Sequence, residues 1–465
     1  MEQITHHNKE EVALLLKEKN FGNLKEAFAE WLPEELSELL TAYTEEDAEE
    51  VHAVVFKSVD RDLAVKTFEL LELTLQEELI SILPARLMQL ILNDMSPDNR
   101  TALLEQLDSE LLTKSLKLLT QKEKSVALSL LGYPENSIGR LMTPDYIAVR
   151  KEWTVKYVLD YIRENGENSE TLNIIYIVDE KGKLIDDIKV REILLAELDT
   201  KIEDIIDGKF ASLSVLSDEE VAINEFKKHN RVALPVIDSS GVLLGIITVD
   251  DVLQLAEEED TEDIQKLGAV EALEEPYLEV PFGKMMRKRA PWLIVLFIGE
   301  MFTASAMSFF EHEIAKAVVL ALFIPLIVSS GGNSGSQAAT LIIRALAVGD
   351  VSIKDWWLII RREALSGLML GLILGSIGFL RVAAWASFSD VYGPHWLLIA
   401  VTIGITLVGV CLWGTIMGSV MPLLLKRLGA DPATSSAPFI ATLVDVTGLV
   451  IYFSIAAAIL SGTLL

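Results

Sequence analysis

Asp445 is the residue around which chemistry can be built. It lies in Ala437-Pro438-Phe439-Ile440-Ala441-Thr442-Leu443-Val444-Asp445-Val446-Thr447-Gly448-Leu449-Val450-Ile451-Tyr452-Phe453, an apolar run that continues almost to the C-terminus, with no basic residue nearby in sequence. Crossing a bilayer takes ~20 predominantly apolar residues, which this run supplies. A charge at that depth costs ~2.5–3.5 kcal/mol on insertion scales. Two readings account for it: a structural carboxylate capped by a hydroxyl or amide of a neighbouring helix, or a cation ligand on a path through the membrane. A second apolar run is interrupted by Ser329-Ser330-Gly331-Gly332-Asn333-Ser334-Gly335-Ser336-Gln337. Small residues at membrane depth let helices approach closely. A dense small-polar run also permits unwound backbone whose carbonyls line a wet path. The expectation is a broken helix opposite Asp445. Asn333 and Gln337, four residues apart, share one face if the helix continues.

A third feature is Glu257-Glu258-Glu259-Asp260-Thr261-Glu262-Asp263, six acids in seven residues. These repel one another unless cations share the site, and Mg²⁺ suits such a cluster because it dehydrates reluctantly and keeps several waters. The sequence places Glu262 and Asp263 in the first turn of a helix, where acids complement the macrodipole. A cation-sensing hinge and an exposed linker both fit. No nucleophile–base constellation and no P-loop occurs, which argues against an enzyme.

The formal charge of −29 over 465 residues is unevenly spread. Residues 1–284 hold 29 Lys+Arg against 60 Asp+Glu, and residues 285–465 hold 11 against 9. An acidic half is thus joined to a nearly neutral apolar half. Nucleic acid is excluded as a partner, since neutralising phosphates needs a basic surface. The single cysteine, Cys411, sits in an apolar run and reads as packing. The polar N-terminus shows no signal peptide.

From about Glu10 to Tyr133 the pattern is helical, punctuated by Leu32-Pro33, Leu83-Pro84 and Ser96-Pro97. Short helices at even spacing suggest a stacked α-helical array. Its acids, among them Glu45, Glu46, Asp47, Glu49, Glu50 and Asp94, read as a solvated face. Near Gly139 strands begin to alternate with helices, in two copies of roughly sixty residues. Leu141-Met142-Thr143-Pro144 opens the first, and Leu234-Pro235-Val236-Ile237-Asp238 with Gly245-Ile246-Ile247-Thr248-Val249-Asp250-Asp251 marks the second. These resemble a tandem cystathionine-β-synthase-type (CBS) pair. The resemblance implies that Thr248 and Asp251 help hold the ribose of an adenine nucleotide such as ATP. In the first copy Asp186 and Lys189 replace the usual Gly and Ser/Thr, and a purely structural, dimer-forming pair stays open.

Five spans follow: Trp292–Phe309, Ala317–Leu346, Ala364 to about Trp385, Trp396–Leu425 and the Asp445 segment. Basic residues gather at Arg287–Arg289, Arg344–Arg362 and Lys426-Arg427, while Glu311-His312-Glu313 and Asp390 mark the alternate loops. The positive-inside rule puts the N-terminus in the cytoplasm and the C-terminus outside.

Ser330-Gly331-Gly332-Asn333-Ser334-Gly335-Ser336-Gln337-Ala338-Ala339-Thr340-Leu341-Ile342-Ile343-Arg344-Ala345-Leu346, Asp431-Pro432 with Ala441-Thr442-Leu443-Val444-Asp445-Val446-Thr447-Gly448, and Thr261-Glu262-Asp263-Ile264-Gln265-Lys266-Leu267-Gly268-Ala269-Val270 are together similar to the signatures of the MgtE family of magnesium channels. The resemblance covers essentially the whole chain. It implies a multidomain, multi-pass protein of a bacterial-type plasma membrane: an α-helical N-domain (1–136), CBS copies (137–200 and 201–256), a connecting plug helix (257–286) and an all-α five-span domain (287–465). It also implies a homodimer in lipid, with its pore between the second and fifth spans of both subunits. Asp445 would be the Mg²⁺-binding pore carboxylate, with Asn333 and the Ala441 backbone beside it. Cytosolic Mg²⁺ at Glu220, Asp251, Glu259, Glu262, Asp263 and Asp431 would hold the gate closed. Ala437 stands where the family often has Asn, which removes a polar pore contact. Two other classes remain: a Na⁺- or H⁺-coupled cation exchanger, and a membrane Mg²⁺ or nucleotide sensor that does not transport.

Overall fold

The computed structural model describes residue 28 and residues 31–43, 48–273, 277–278 and 280–464. Two compact units emerge, residues 1–257 and 258–465. The acidic triplet Glu45, Glu46 and Asp47, and the expected helical stretch before residue 28, lie outside the described residues.

Among the described residues the first unit begins with eight short helices: α1 (Pro33–Ala42), α2 (Ala48–Ser58), α3 (Arg61–Glu69), α4 (Leu73–Ile82), α5 (Ala85–Asp94), α6 (Pro97–Gln106), α7 (Ser109–Leu118) and α8 (Gln121–Leu130). Their ends follow from local chemistry. Leu32 and Leu83 precede Pro33 and Pro84 with extended backbone, because the proline ring disfavours the helical region for the residue before it. Asp60 and Asp108 cap α3 and α7, accepting bonds from the Leu63 and Leu111 amides at 2.9 and 2.8 Å. Each helix packs on the next but one, α1 on α3, α2 on α4 and so on to α6 on α8, which gives the stacked array. Leu36, Val55, Phe68, Leu79, Leu92 and Leu103 fill its core, each contributing about 1.5–3 kcal/mol on burial.

The α/β duplication comes next. Strands β1 (Ala148–Val149), β2 (Ile174–Val178) and β3 (Leu184–Lys189) form one sheet, and β4 (Leu213–Ser214), β5 (Ala233–Ile237) and β6 (Leu243–Thr248) form another. In both, a parallel pair is followed by an antiparallel hairpin, with a bulge at Ile177/Val178 and at Val236/Ile237. The hairpin turns also match. Asp179 Oδ1 accepts from the Lys181 and Lys183 amides at 2.8 and 2.9 Å, as Asp238 Oδ1 does from Ser240 and Val242. Gly182 and Gly241 supply the positive φ (80° and 83°) that each turn needs. Helices α9 (Val155–Asn165), α10 (Val190–Leu195) and α11 (Glu220–His229) complete the copies.

Helix α12 (Val249–Leu267) corrects one expectation. The acidic run is not an interruption, and Glu262 and Asp263 lie well inside the helix rather than in its first turn. No Gly or Pro occurs between Val249 and Leu267, and Glu is a good helix former. The helical part of the expected 257–286 connector ends at Leu267, where Gly268 is followed by Ala269 at φ 59°.

The second unit holds five helices long and apolar enough to span a membrane among the described residues. Their regular parts are α13 (Phe282–Phe309), α14 (Ile324–Ala347), α15 (Trp356–Ala386), α16 (Trp396–Arg427) and α17 (Ala437–Leu460). Helix α16 is central and packs on α14, α15 and α17, while α13 packs on α17. A second expectation is overturned here. Helix α14 runs unbroken through Ser329–Gln337, and the irregular backbone comes earlier, at Ala317 and at Leu322-Phe323, on either side of the short helix Val318–Ala321. The small residues serve close packing instead. A Cβ on Gly414 of α16 would lie 2.5 Å from the Gly331 carbonyl, and a Cβ on Gly335 would lie 2.8 Å from Ile440 Cγ2 of α17.

Candidate functional site

The glycine-packed face of α14 leaves the opposite face out. Ser329, Asn333, Gln337, Thr340 and Arg344 form a polar stripe along it, and Asn333 Nδ2 donates to Ser329 Oγ at 3.3 Å. Such a stripe cannot face lipid cheaply, because hydrocarbon offers its polar groups no partners. At its edge is Gly332. A Cβ there would lie 3.4 Å from both Asp445 Oδ1 and the Ala441 side chain. Gly332 thus brings α14 against Asp445 and Ala441 of α17, and Asn333, the next residue, lies on the exposed polar stripe.

Several bonds fix α17 in that position. Tyr452 OH donates to the Leu320 carbonyl at 2.9 Å, Trp413 Nε1 to Thr447 Oγ1 at 2.8 Å, and Ser336 Oγ to the Ala437 carbonyl at 3.0 Å. Asp445 itself has no hydrogen bond or ion pair among the described residues. The capped structural carboxylate is therefore not what the structure displays. Carboxylates with amide and carbonyl oxygens are hard donors, suited to Mg²⁺ or Ca²⁺ rather than to softer metals.

A second carboxylate group lies within residues 1–257. Asp98, in the first turn of α6, is 8% exposed, and its Oδ1 is buried with no partner among the described residues. Burial, then the charge of Glu170, pushes its pKa up to about 7. Asp251 is also pushed to about 7, by burial and then by Asp98. Glu170 reaches about 7 by burial and then by Asp251 and Asp250. Carboxylates that raise one another's pKa form a group short of positive charge. Asp251 stands out in the sequence, whereas Asp98 and Glu170 do not. Asp98 had the look of an ordinary helix-start acid after Pro97, and Glu170 sat in a loop. Glu220 opens α11, where its amide bonds Asp218 Oδ1 at 3.0 Å. The charges that raise Asp251 are those of Asp98 and Asp250.

The acids of α12 form a third group, with a cation already in it. Lys266 Nζ lies 2.5 Å from Glu262 Oε1 and 2.8 Å from Asp431 Oδ2. Burial opposes its charge, but these two bonds win and raise its pKa. Asp263 is raised by burial and then by Asp431. Glu262, Asp263 and Asp431 are thus brought together as expected, with Lys266 among them unforeseen. Glu259 lies one turn earlier on the helix. Among the described residues no three His, Cys, Asp or Glu side chains form a ready metal cage. Mg²⁺ needs none, since it binds through one or two carboxylates and retains its waters.

In the CBS pair, Thr248 Oγ1 donates to Asp251 Oδ2 at 2.7 Å, so the two residues expected to hold a ribose are bonded to each other. The first copy differs where the sequence said it would. Asp186 is buried and accepts from the Gly208 amide at 2.8 Å, and Asp187 pairs with Arg231 at 3.1 Å. Gly245 occupies the equivalent position in the second copy, where a Cβ would come 2.7 Å from the Thr143 carbonyl.

Comparison with known proteins agrees with this layout. Residues 324–455 match the family described as divalent cation transporter (MgtE), residues 33–136 the MgtE intracellular N domain, and residues 138–199 and 202–258 the CBS domain. A magnesium transporter MgtE of Thermus thermophilus is 39% identical over 345 residues, 74% of this chain and 75% of that protein. The chain belongs to the MgtE family. Another relative, the magnesium transporter MgtE of Enterococcus faecalis, is 33% identical over 70% of each chain. The crystal structure of the cytosolic domain of the Mg²⁺ channel MgtE in complex with ATP superposes with a TM-score of 0.50 at 30% identity, covering 52% of this chain and 98% of that one. The soluble part of a magnesium transporter superposes equally well at 23% identity, over 54% of this chain and 97% of that one, and shows the shared fold. These MgtE relatives are magnesium transporters, and the helical N-domain, CBS pair and spanning helices here are the parts of that family.

Proposed function

We propose that this protein conducts Mg²⁺ into the cell down its electrochemical gradient, as a homodimer whose path runs between α14 and α17 of the two copies. The observation that carries this reading is Asp445: an intramembrane carboxylate without a partner among the described residues, set against Gly332 at the edge of a polar stripe. Asn333 and the Ala441 backbone would be its neutral oxygen donors. A hydrated Mg²⁺ is held through its waters by such carboxylates. The inward drive is about 2.3 kcal/mol per charge per 100 mV. The basic flanks of the spans support a cytoplasmic N-terminus and an external C-terminus.

Cytosolic Mg²⁺ closes the path in this reading. Asp98 and Asp251, with Glu170 at their rim, are carboxylates lacking positive charge, and Mg²⁺ supplies it. Glu220, Glu259, Glu262, Asp263 and Asp431 are the further regulatory carboxylates. Shifting a gate between mostly closed and mostly open takes about 5.5 kcal/mol of differential binding, which several coupled sites can supply. Thr248 and Asp251 of the second CBS copy would take the ribose of ATP. The relative crystallised with ATP supports this.

The test is Mg²⁺ flux into liposomes with wild type and Asp445→Ala, at low and high Mg²⁺ on the cytosolic face. Flux that needs Asp445 and stops as cytosolic Mg²⁺ rises is the expected result. Flux that survives in Asp445→Ala removes the path; flux that follows a Na⁺ gradient replaces the channel by an exchanger.

A further inference from the structure

The first span carries a charge that the path described above does not use. Glu300 lies within the apolar part of α13, is exposed, and has no ion pair or hydrogen bond among the described residues. A carboxylate in that position is as costly as Asp445 and as much in need of a role.

Two contacts fix where it sits. A Cβ on Gly299 would lie 2.8 Å from Thr442 Cγ2, and Phe310 stacks on Phe453 with ring centroids 5.0 Å apart. Both contacts have the same sequence offset, so α13 and α17 run parallel and in register. On that register Glu300 is level with Leu443, two residues before Asp445, a difference of ~3 Å along the axes. One turn further along α13, Thr303 Oγ1 is buried with no hydrogen-bond partner among the described residues. A buried hydroxyl without a partner points to a missing one.

We propose that Glu300 is a positioning carboxylate of the cation path, holding with Asp445 the water shell of one divalent cation from two spans of the same chain. The inference rests on the path reading and extends it to the first span. Each copy would thus bring two carboxylates to the path, and such a density of negative charge at membrane depth is offset better by a dication than by a monovalent ion. Thr303 Oγ1 offers a neutral acceptor or donor to the same water shell. Glu300 therefore acts on how strongly the ion is held more than on whether the path exists.

The experiment is Mg²⁺ uptake as a function of Mg²⁺ concentration in liposomes holding equal amounts of full-length wild type, Glu300→Gln, Glu300→Asp or Asp445→Ala. Glu300→Gln is expected to raise the half-saturating Mg²⁺ concentration about tenfold, a loss of ~1.4 kcal/mol, with the maximal rate largely kept. Glu300→Asp should recover most of that affinity. If Asp445→Ala stops uptake but Glu300→Gln leaves half-saturation unchanged, the path stands and this inference is overturned. It is equally overturned if both Glu300 variants lower the maximal rate without moving half-saturation, the signature of a packing role. Uptake indifferent to Asp445 brings down the path reading itself.

Discussion

Asp445 Oδ1 lies 3.4 Å from where a Cβ on Gly332 would be, so the carboxylate occupies space that this glycine leaves open on the second span. The Ala441 side chain bounds the same space at 3.4 Å. Gly332→Ala fills this space to van der Waals contact with both and takes room from the carboxylate's water shell, so uptake should fall several-fold. Gly332→Val adds branches with nowhere to go and should abolish uptake. Overpacking of this kind costs about 1–3 kcal/mol, small enough for the protein to assemble. Liposome uptake, with size-exclusion to confirm assembly, checks both.

A different glycine should fail by a different route. A Cβ on Gly414 would come 2.5 Å from the Gly331 carbonyl, a backbone atom that no rotamer change can move. Gly414→Ala must therefore push α14 and α16 apart along the face that places Asp445. The expected result is a lower thermal midpoint in detergent together with lost uptake, whereas Gly332→Val loses uptake at a nearly unchanged midpoint.

How these sites read in the sequence depended on whether the signal was local. The duplicated hairpins were legible because Asp179/Gly182 and Asp238/Gly241 specify turns by short-range chemistry. Asp445 is legible because any acid in an apolar span is anomalous, and the same logic applies to Glu300. The Ser329–Gln337 run was misread, since Gly and Ser permit both unwinding and close packing, and only the partner helix with Gly414 decides between them. Asp98 was invisible for a related reason. Its neighbours Asp251 and Glu170 are remote in sequence, and an acid after Pro97 already has a sufficient local explanation at a helix start.

The Asp98–Asp251–Glu170 group should make the cytosolic unit pH-sensitive when divalent cations are absent. All three are raised to about 7 by burial and mutual repulsion. A carboxyl group whose folded pKa lies above its unfolded value stabilises fully below the unfolded pKa, near 4, and loses that contribution as pH rises through the folded value. Without Mg²⁺, α6 should thus exchange its amide hydrogens faster at pH 8 than at pH 5, beyond the intrinsic pH effect. Mg²⁺ should remove the difference by replacing the protons. Asp98→Asn should flatten the pH dependence and weaken the Mg²⁺ protection together. Full Mg²⁺ protection surviving in the Asp98→Asn protein would show that the group is only a buried strain.

Lys266 separates two accounts of the acidic helix. Its ammonium, between Glu262 at 2.5 Å and Asp431 at 2.8 Å, occupies a place a metal cation could take. If Mg²⁺ binds there, it must displace this charge or share the carboxylates with it, and Lys266 lowers Mg²⁺ affinity. Lys266→Gln should then lower the half-inhibitory cytosolic Mg²⁺ concentration several-fold, while neutralising Glu259, Glu262 and Asp263 together should raise it. If Lys266 only ties α12 to the loop at Asp431, both changes loosen the same contact and both should weaken inhibition. Opposite shifts in the two inhibition curves are the expected outcome, because Asp263 is already held uncomfortably close to Asp431 and gains most from a second cation.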